Sequence, residues 1–418
     1  MSPRRLNLRL YCLSKTPVKD RLDVWPALPL VIEGDMNTDI IITALGQSNR
    51  VRHAILGLAG CQSLAPMQVP FPELTDLCLR TDDGTQPVIS DSFLGGSAPR
   101  LRTLKSFSIS FPGLPKLLLS ATRLVHLLLY DIPDSGYISP KTMVALLSVL
   151  SNLKTLFLGF ESPQYHPDSE SRSLPLPKRS ILPALNEIRF IGVTEYLEEF
   201  VTLIDVPQLN QMDATFFDDI GFDCPRLAHF INCTPKLRER DEAHVDFEDS
   251  TAGVSFRSRI SKSKRYNLLI HISCEDPDRR LSSIKRVCNS SLYPLSTVEV
   301  LYIEYQYQPI VWKNDPIKNT TWLELLLPFT AVKNLTLSEE FAPSVAAALE
   351  ELVGDRITEV LPNLQDIFVE DPSGDFPESI GRFVAARQLS DHPITVSDWD
   401  IEKDWGCDGS SSESSRLM

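Results

Sequence analysis

The sequence has no apolar run approaching the roughly 18 residues that cross a membrane, and its N-terminus lacks the continuous apolar stretch of a signal peptide. Its eight cysteines are scattered without tight spacings, which favours reduced thiols over a disulfide framework. These absences predict a soluble protein of the cytoplasm, with the nucleus as the alternative compartment, and no membrane partner.

The motifs that hold nucleotides, metals or catalytic nucleophiles are also absent. There is no Gly-x-Gly-x-x-Gly, no Gly-x-x-x-x-Gly-Lys-Ser/Thr, no His-Glu-x-x-His and no Gly-x-Ser-x-Gly. The nearest metal candidate is Cys224, His229 and Cys233, but on a helix at about 100° per residue the second and third lie about 140° and about 180° around from the first. Because these side chains would not converge on one ion, the sequence predicts no cofactor, no metal site and no catalytic residues.

Positive charge is scarce relative to negative charge. The chain has 41 Lys and Arg against 55 Asp and Glu, a formal net charge of −14, which opposes binding to a phosphate backbone. The excess is concentrated in residues 338–418, which hold 18 acidic and 5 basic side chains. This segment indicates either a basic partner near the C-terminal end or a solubilising cap and tail. No nucleic-acid partner is predicted.

One local run departs from this acidic balance. It consists of five cations with no acid between them: Arg257, Arg259, Lys262, Lys264 and Arg265. Such a run is typical of a nuclear-localisation signal or of a patch for an anionic partner. It is equally typical of a sheet edge that lysine and arginine protect from pairing.

The sequence does contain a recurring Leu-x-x-Leu-x-Leu pattern of short apolar runs. Examples are FPELTDLCL, ATRLVHLLL, SNLKTLFL, TAVKNLTL and LPNLQDIFV. The first apolar residues of ten such runs are Val51, Leu74, Leu101, Leu124, Leu153, Leu185, Leu209, Val298, Val332 and Leu364. Apart from one gap of 89 residues, successive steps are 23 to 34 residues, which suits one strand plus one returning helix or loop.

The segments between these runs have helical periodicity. Ser139 followed by Pro140 is a good helix start, and Met143, Leu147 and Leu150 then fall on one face. Further helices are predicted from Thr194, around Val345–Leu352 and around Ile380–Arg387. Strands that alternate with helices pair in parallel, because antiparallel neighbours need only tight hairpins. The predicted fold class is therefore α/β: an irregular leucine-rich-repeat solenoid, or horseshoe, with parallel strands on the concave face and helices and loops outside.

We expect this solenoid to cover residues 1–395. Within it, residues 161–180 are predicted to form a protruding loop, because they are rich in proline, serine and charge. Residues 234–297 fit the repeat poorly, although HVDF, AGVSF and NLLIHI indicate irregular strands there. Residues 396–418 are acidic and serine-rich and are predicted to be a disordered tail.

Several longer blocks resemble a known family. They are WPALP, FPGLPKLLLSATRLVHLLLYDIPDSGYIS, RSILPALNEIRFIGVTEYLEEFV, FTAVKNLTLSEEFAPSVAAALEELVG and FVAARQLSDHP. Over most of its length the chain resembles fungal F-box proteins with leucine-rich repeats. The resemblance implies the substrate-recognition subunit of a cullin-type ubiquitin ligase, in which an F-box holds a Skp-type adaptor and the repeats hold a target protein.

The resemblance is confined to the repeat region. An F-box is a helical module ahead of the repeats, and no such segment precedes the first strand-like run, Leu6–Leu10. On this interpretation the chain begins where the F-box would end. A Skp-type adaptor and a cullin are therefore expected as partners only if an F-box exists upstream of Met1.

In each run the last two apolar residues alternate along the strand and would point into the solenoid; among these predicted core residues are Leu77, Leu79, Leu127, Leu156 and Ile188. The residues that flank this buried pair would face solvent on the inner curve of the solenoid. In the second to fifth repeats this places an apolar ridge beside basic side chains, a mixture typical of protein-binding hot spots. The predicted partner-binding residues are Lys105, Phe107, His126, Leu128, Tyr130, Phe157, Arg189 and Tyr302. Alternatively, the 161–180 loop or another return segment covers them and they serve packing.

The sequence accordingly predicts a monomeric, non-catalytic protein-interaction scaffold, whose role by resemblance is target recognition for ubiquitination. The alternative is a stand-alone repeat protein without ligase contact, with a structural or decoy role. A third hypothesis is an enzyme whose site has no recognisable motif.

Overall fold

The computed structural model describes most of the chain: residues 10–13, 28–36, 38–58, 64–81, 87–163, 179–217, 224–238, 240–248, 250–258, 266–274, 276–290, 295–305, 316–370 and 378–399. These residues divide into two compact units. Unit 1 comprises the described residues up to Phe217 together with Cys224–Arg238, and unit 2 comprises those from 240 to 399. Both units are α/β structures built on mostly parallel strands, which confirms the predicted fold class at that level.

Unit 1 is built on a parallel sheet. Its strands are β1 (Leu10–Leu13), β2 (Leu30–Asp35), β3 (Val51–Gly57), β4 (Asp76–Arg80), β5 (Thr103–Phe107), β6 (His126–Ile132), β7 (Thr155–Phe160), β8 (Ser180–Ile181), β9 (Glu187–Gly192), β10 (Ile204–Asp205) and β11 (Gln211–Phe217). The sheet order follows the chain, β1-β2-β3-β4-β5-β6-β7-β9-β11, and all these neighbours are parallel. β8 and β10 form a separate parallel pair.

Helices and turns return the chain from the end of one strand to the start of the next. They are α1 (Asp39–Leu45), α2 (Leu114–Ser120), α3 (Pro140–Leu147), α4 (Thr194–Thr202), α5 (Pro225–Cys233) and α6 (Pro235–Arg238), with 3-10 turns at Ala65–Met67, Phe93–Gly96 and Asp134–Gly136. They cover the apolar face of the sheet. The ring of Tyr196 in α4, for example, has its centroid 5.7 Å from that of Phe190 in β9 and 4.8 Å from that of Phe160 in β7.

The leucines of the repeat stack in register across this sheet. Leu77 pairs with Leu104, Leu104 with Leu127, Leu127 with Leu156, and Leu156 with Ile188. All five side chains are at most 2% exposed. Each is covered by its counterpart in the neighbouring strand, so burial and strand pairing depend on the same register. The predicted core positions and the parallel pairing are therefore confirmed in unit 1.

A second repeated feature marks where many of the strands begin. The backbone carbonyl of Arg102, just before β5, accepts hydrogen bonds from the N–H groups of Val125 and His126 at 2.7 and 2.9 Å. The carbonyl of Val125 accepts in the same way from Lys154 and Thr155 at 2.8 and 3.2 Å. The same two-donor arrangement occurs at the carbonyls of Thr75, Lys154, Asn186, Asp241, Glu299 and Lys333. Both units therefore use one strand-start geometry.

Unit 2 combines parallel and antiparallel strands. Its strands are β12 (Glu242–Phe247), β13 (Thr251–Arg257), β14 (Leu268–Ser273), β15 (Val300–Tyr305), β16 (Asn334–Leu337), β17 (Asp366–Val369) and β18 (Thr395–Asp398). Its helices are α7 (Pro277–Asn289), α8 (Pro316–Leu326), α9 (Ala342–Glu350) and α10 (Glu378–Leu389), with 3-10 turns at Leu295–Thr297 and Gly354–Thr358. The strand order is β14-β13-β12-β15-β16-β17-β18.

The parallel pairing predicted for the repeats does not extend through residues 234–297, the segment that fits the repeat poorly. β13 pairs antiparallel with both neighbours, whereas β15 to β18 continue parallel from β12. The reason is the short link between β12 and β13, where the N–H of Glu248 donates to the carbonyl of Thr251 at 2.9 Å. So short a link allows a hairpin but not the crossover that parallel neighbours need. The strands predicted at HVDF, AGVSF and NLLIHI are confirmed.

The predicted helices are confirmed. The side-chain oxygen of Ser139 accepts the N–H of Thr142 at 3.4 Å, as its position before α3 predicts. α4 begins at Thr194, and α9 and α10 cover the other two periodic segments. None of the helices in the described ranges is long and apolar enough to cross a membrane.

Two other predicted segments differ in detail. The loop predicted over 161–180 falls mainly on 164–178, outside the described residues, and its last residue, Ser180, begins β8. The tail predicted over 396–418 starts too early, because residues 396–398 belong to β18 and pair with β17. Residues 400–418 lie outside the described part of the chain.

Replacing Leu127 or Leu156 with Asp should unfold unit 1. The change removes roughly 1.5–3 kcal/mol of apolar burial and leaves a carboxylate without a partner in the core, so we expect a loss of more than about 4 kcal/mol in the free energy of unfolding. Urea denaturation followed by circular dichroism measures this loss. The matched control is Leu128→Asp, on the opposite face of the same strand, which should cost less than about 1 kcal/mol. A Leu156→Asp protein with an unchanged transition would contradict the core assignment.

Candidate interaction surface

The face of the unit 1 sheet opposite the buried leucines carries most of the predicted partner-binding residues. Successive side chains in a strand point to opposite faces, so the residues between the core leucines share this face. Lys105, Leu128, Phe157 and Arg189 form one cross-strand row, from β5 to β9. The structure therefore brings these four residues together as the sequence predicts.

Three aromatic side chains on this face stack on one another, and we call them the aromatic ladder: Phe107, Tyr130 and Phe157. The ring centroids of Phe107 and Tyr130 lie 4.3 Å apart with an interplanar angle of 3°, and those of Tyr130 and Phe157 lie 4.2 Å apart at 35°. Such pairs contribute about 0.5–1.5 kcal/mol beyond their buried area. Phe107 and Tyr130 are partly exposed and Phe157 is 7% exposed. The ladder thus presents a rigid apolar strip on this face.

The ring of Phe157 fits on this face because the next residue on the same face of β7 is a glycine. Gly159 lies two residues further along β7, and a Cβ there would meet Cε1 of Phe157 at 3.0 Å. The ring of Phe157 therefore occupies the space that a side chain at this position would need. Gly159 therefore leaves space for a ladder ring, although sequence reasoning assigned it no role.

The backbone turns sharply directly after two ladder residues. Ser108 follows Phe107 with φ of 56°, and Asp131 follows Tyr130 with φ of 50°, both in the left-handed region. This conformation costs on the order of 1 kcal/mol for a residue with a side chain, and strained residues of this kind concentrate at functional sites. The N–H of Ser108 donates to the carbonyl of Tyr130 at 3.0 Å. The two strand ends that carry the ladder are therefore tied together.

Basic side chains lie on or next to the strands that carry the ladder. Lys105 lies on β5, and Arg102 and Lys154 directly precede β5 and β7. All three are exposed, and none forms a salt bridge with a described residue. Arg189, by contrast, holds its Nε 2.7 Å from Oε1 of Glu187. In the row of Lys105, Leu128, Phe157 and Arg189, Lys105 is thus the basic side chain without a salt bridge to a described residue.

Two titratable side chains on this face remain uncharged near neutral pH. Burial lowers the pKa of His126, and Lys105 and Lys154 lower it further, against the carboxylates of Glu187 and Asp76. Burial raises the pKa of Tyr130 above its ordinary value. The Tyr130 hydroxyl therefore keeps its proton and can donate a hydrogen bond to a partner.

Tyr302, the eighth predicted residue, belongs to unit 2 and lies on a buried polar cluster that sequence reasoning missed. We call Glu242, His244, Arg257 and Glu304 the His244 cluster. Nε2 of His244 lies 2.7 Å from Oε1 of Glu242, and Nδ1 lies 2.7 Å from Oε1 of Glu304. Nη2 of Arg257 lies 2.5 Å from Oε1 of Glu242. The ring of Tyr302 stacks on His244 at 4.3 Å and 6°.

The charges of the His244 cluster hold one another in their ionised forms. Burial alone would lower the pKa of His244, but the hydrogen bonds to Glu242 and Glu304 raise it above its ordinary value. Burial alone would raise the pKa of Glu242, but the hydrogen bonds from His244 and Arg257 lower it. His244 and Glu242 therefore each favour the charged form of the other, and paired charges are the condition under which buried ionised groups are tolerated.

The other chemical candidates contribute no site. Among the described residues, no group of three or more His, Cys, Asp or Glu could hold a metal ion. Sγ of Cys233 lies 3.6 Å from Nε2 of His229 one turn away on α5, and Cys224 precedes that helix. In the basic run, Arg257 belongs to the His244 cluster and residues 259–265 lie outside the described residues.

Comparison with known proteins adds no assignment, since no protein-family model matches the chain and no curated protein matches it. The fold and this surface therefore define the class: an α/β protein whose strands are mostly parallel, with three stacked aromatic rings on the sheet face opposite the core.

The His244 cluster should make the stability of the protein depend on pH. Because the folded-state pKa of His244 is raised, its charged form contributes fully below the ordinary value of 6.5, and the contribution is lost as pH rises through the folded-state pKa. The difference in free energy of unfolding between the wild type and His244→Gln should thus be larger near about pH 6 than near about pH 9. Urea denaturation at both pH values measures it. The control is His392→Gln, at an exposed position of unit 2, which should leave the pH dependence unchanged. An equal difference at both pH values would contradict the charged state of His244.

Proposed function

We propose that the chain is a non-catalytic protein-interaction scaffold that binds a protein target through the aromatic ladder and the basic side chains around it. The observation that carries the proposal is the ladder itself, with stacked rings on the sheet face opposite the core. Protein-binding hot spots are enriched in aromatic and arginine side chains on well-ordered surfaces. A rigid aromatic strip loses little conformational entropy when a partner covers it.

The repeated construction of unit 1 supports the finer fold that the sequence predicts, a leucine-rich-repeat solenoid. Leucines in register and two-donor carbonyls at the strand starts are what a stack of equivalent repeats would produce. In such a solenoid the strands line the concave face, and the ladder would lie there. Concave sheet faces are the extended binding surfaces that repeat proteins use.

The resemblance to fungal F-box proteins gives this scaffold an expected role in target recognition for ubiquitination. A Skp-type adaptor and a cullin would join only through an F-box upstream of Met1. The alternative role is that of a stand-alone repeat protein without ligase contact. In both roles we propose a monomer in the cytoplasm or nucleus.

Affinity capture with the full chain tests the proposal. Proteins captured from an extract of the source organism by the wild type should be lost with Tyr130→Ala/Phe157→Ala, because the double change removes two of the three stacked rings. The matched control is Leu119→Ala/Val149→Ala, which removes side chains that are 56% and 41% exposed near the helices of the same unit. The control should capture the same proteins as the wild type.

Each outcome of this comparison has a distinct meaning. A target captured together with adaptor and cullin supports the ligase role, and a target captured alone supports the stand-alone role. Capture that survives in a folded ladder variant contradicts the proposal. If circular dichroism shows that the ladder variant is unfolded, the rings serve packing and the proposal is contradicted as well.

A further inference from the structure

We infer that the strand ends of unit 2 carry a binding site for an arginine side chain of a partner protein. The site consists of four carboxylates and one hydroxyl at the ends of β15, β16 and β17, and we call it the carboxylate site: Glu304, Ser338, Glu339, Glu340 and Glu370. It goes beyond the proposed function, because it belongs to unit 2 and shares no residue with the aromatic ladder.

Strand pairing places three of these residues side by side on the sheet face opposite the core. The last core residues paired across the three strands are at most 1% exposed: Ile303, Leu337 and Val369. Successive side chains in a strand point to opposite faces, so the residue after each of them points away from the core. The N–H of Ser338 donates to the carbonyl of Ile303 at 3.0 Å, and that of Glu370 to the carbonyl of Leu337 at 2.9 Å. Glu304, Ser338 and Glu370 therefore form one cross-strand row.

The carboxylates of this site repel one another. Burial raises the pKa of Glu370, and the neighbouring carboxylates of Glu340, Glu339 and Glu304 raise it further. Oε1 of Glu304 lies 2.7 Å from Nδ1 of His244, but Glu339, Glu340 and Glu370 form no ion pair with a described residue. Glu339 is exposed, and Glu340 and Glu370 are partly exposed. A cation from solvent therefore meets like-charged groups that lack partners in the described part of the chain.

The basic side chains on the same face of β12 to β18 are already engaged. His244 and Arg257 both contact Glu242, and His244 also contacts Glu304. His271, the other basic residue that the pairing of these strands places on this face, has its Nδ1 3.9 Å from Oδ2 of Asp246. The described strands thus supply no further cation to the carboxylate site.

Two buried polar atoms in the same row have no hydrogen-bond partner among the described residues. They are Oγ of Ser338 and Oδ2 of Asp246, which pairs with Glu304 across β12 and β15. Both residues are only 3% exposed. A buried polar atom without a partner is costly, and a ligand that donates hydrogen bonds removes this cost. These two atoms therefore indicate a donor ligand independently of the charge.

The chemistry of the site favours a guanidinium group. Among the described residues, no group of three or more His, Cys, Asp or Glu could hold a metal ion. A guanidinium carries five N–H donors and no acceptor, and its planar fork fits carboxylates. Tyr302 and Phe368 lie two residues before Glu304 and Glu370 on the same face, and the ring centroid of Trp399 is 5.8 Å from that of Tyr302. Guanidinium stacks on such rings, whereas an ammonium is a compact, strongly hydrated charge.

The spread of the site favours an arginine that is carried on a protein chain. Glu304 and Glu370 are two strands apart, which is about 10 Å at 4.8 Å between strands. A single small ion cannot contact both. An arginine between them could reach Ser338, while the chain that carries it covers the neighbouring rings. Unpaired carboxylates also accelerate the approach of a basic segment.

Selection from a random peptide library, displayed on phage and presented to the full chain, tests the inference. The wild type should enrich peptides that contain arginine. Glu339→Gln/Glu370→Gln should weaken binding of an enriched, fluorescein-labelled peptide by about tenfold or more, as fluorescence anisotropy measures. Asp355→Asn/Asp391→Asn removes the same charge at two exposed positions of unit 2 outside the site and should leave binding unchanged.

The stability of the Glu339→Gln/Glu370→Gln protein is a second measurement. Because the change removes carboxylates that repel one another, its midpoint of urea denaturation should equal or exceed that of the wild type. A lower midpoint would show that these carboxylates have stabilising partners within the fold, which overturns the inference.

The binding outcomes are equally distinct. Enriched peptides without arginine, peptides that bind the Glu339→Gln/Glu370→Gln protein as well as the wild type, or a library from which nothing is enriched overturn the inference. An arginine-to-lysine change in the peptide should weaken binding, and equal binding contradicts the guanidinium. Spermidine that displaces the peptide at equal concentration would assign the site to a free polyamine instead. Peptides that are lost only with Tyr130→Ala/Phe157→Ala support the proposed function but overturn this inference.

Discussion

The register of the buried leucines is the constraint on which the rest of unit 1 depends. Side chains in a strand alternate between two faces, so shifting one strand by a single residue would exchange its core leucines for Lys105 or Tyr130. The two-donor carbonyl at the starts of β5, β6, β7, β9 and β11 fixes the register at one end. The buried pairing of Leu127 with Leu156 fixes it within the strand. The burial of the leucines on one face of the sheet therefore sets the positions of the aromatic rings on the other face.

Unit 2 has the same two-donor carbonyls at strand starts, but the face opposite its apolar core carries a buried ion network instead of stacked rings. There the hairpin between β12 and β13 brings Arg257 beside Glu242, and the parallel neighbour β15 brings Glu304 beside His244. A buried ion network of this kind depends on all its members, because removing one leaves an unpaired charge in a medium that does not solvate it. Unit 2 thus places these charges where they stabilise one another.

The parts of the molecule that follow from local periodicity could be predicted from the sequence. Leu-x-x-Leu-x-Leu specifies which side chains are buried, and hence that Phe107 and Tyr130 share the opposite face. The stacking of Phe157 on Tyr130 could not be predicted. It depends on the space beside Gly159 and on the register between β6 and β7, which only the paired structure defines.

The His244 cluster was missed because Glu304 is 60 residues from His244 in sequence and only the pairing of β12 with β15 brings them together, although the alternation of Glu242 and His244 in EAHVDF is a usable signal. Arg387 shows the limit of helical periodicity. Arg387 lies on the apolar, buried side of its helix, as the periodicity predicts. Its Nη2 donates to the carbonyls of Val360 and Leu361 at 3.1 and 2.9 Å, and only the tertiary structure reveals those partners.

The central claim is that the leucine register holds the rings in contact on the outward face. It is tested most directly by a double-mutant cycle in unfolding free energy between Tyr130→Ala and Phe157→Ala. The account predicts a coupling of about 0.5–1.5 kcal/mol. Strictly additive effects would contradict it.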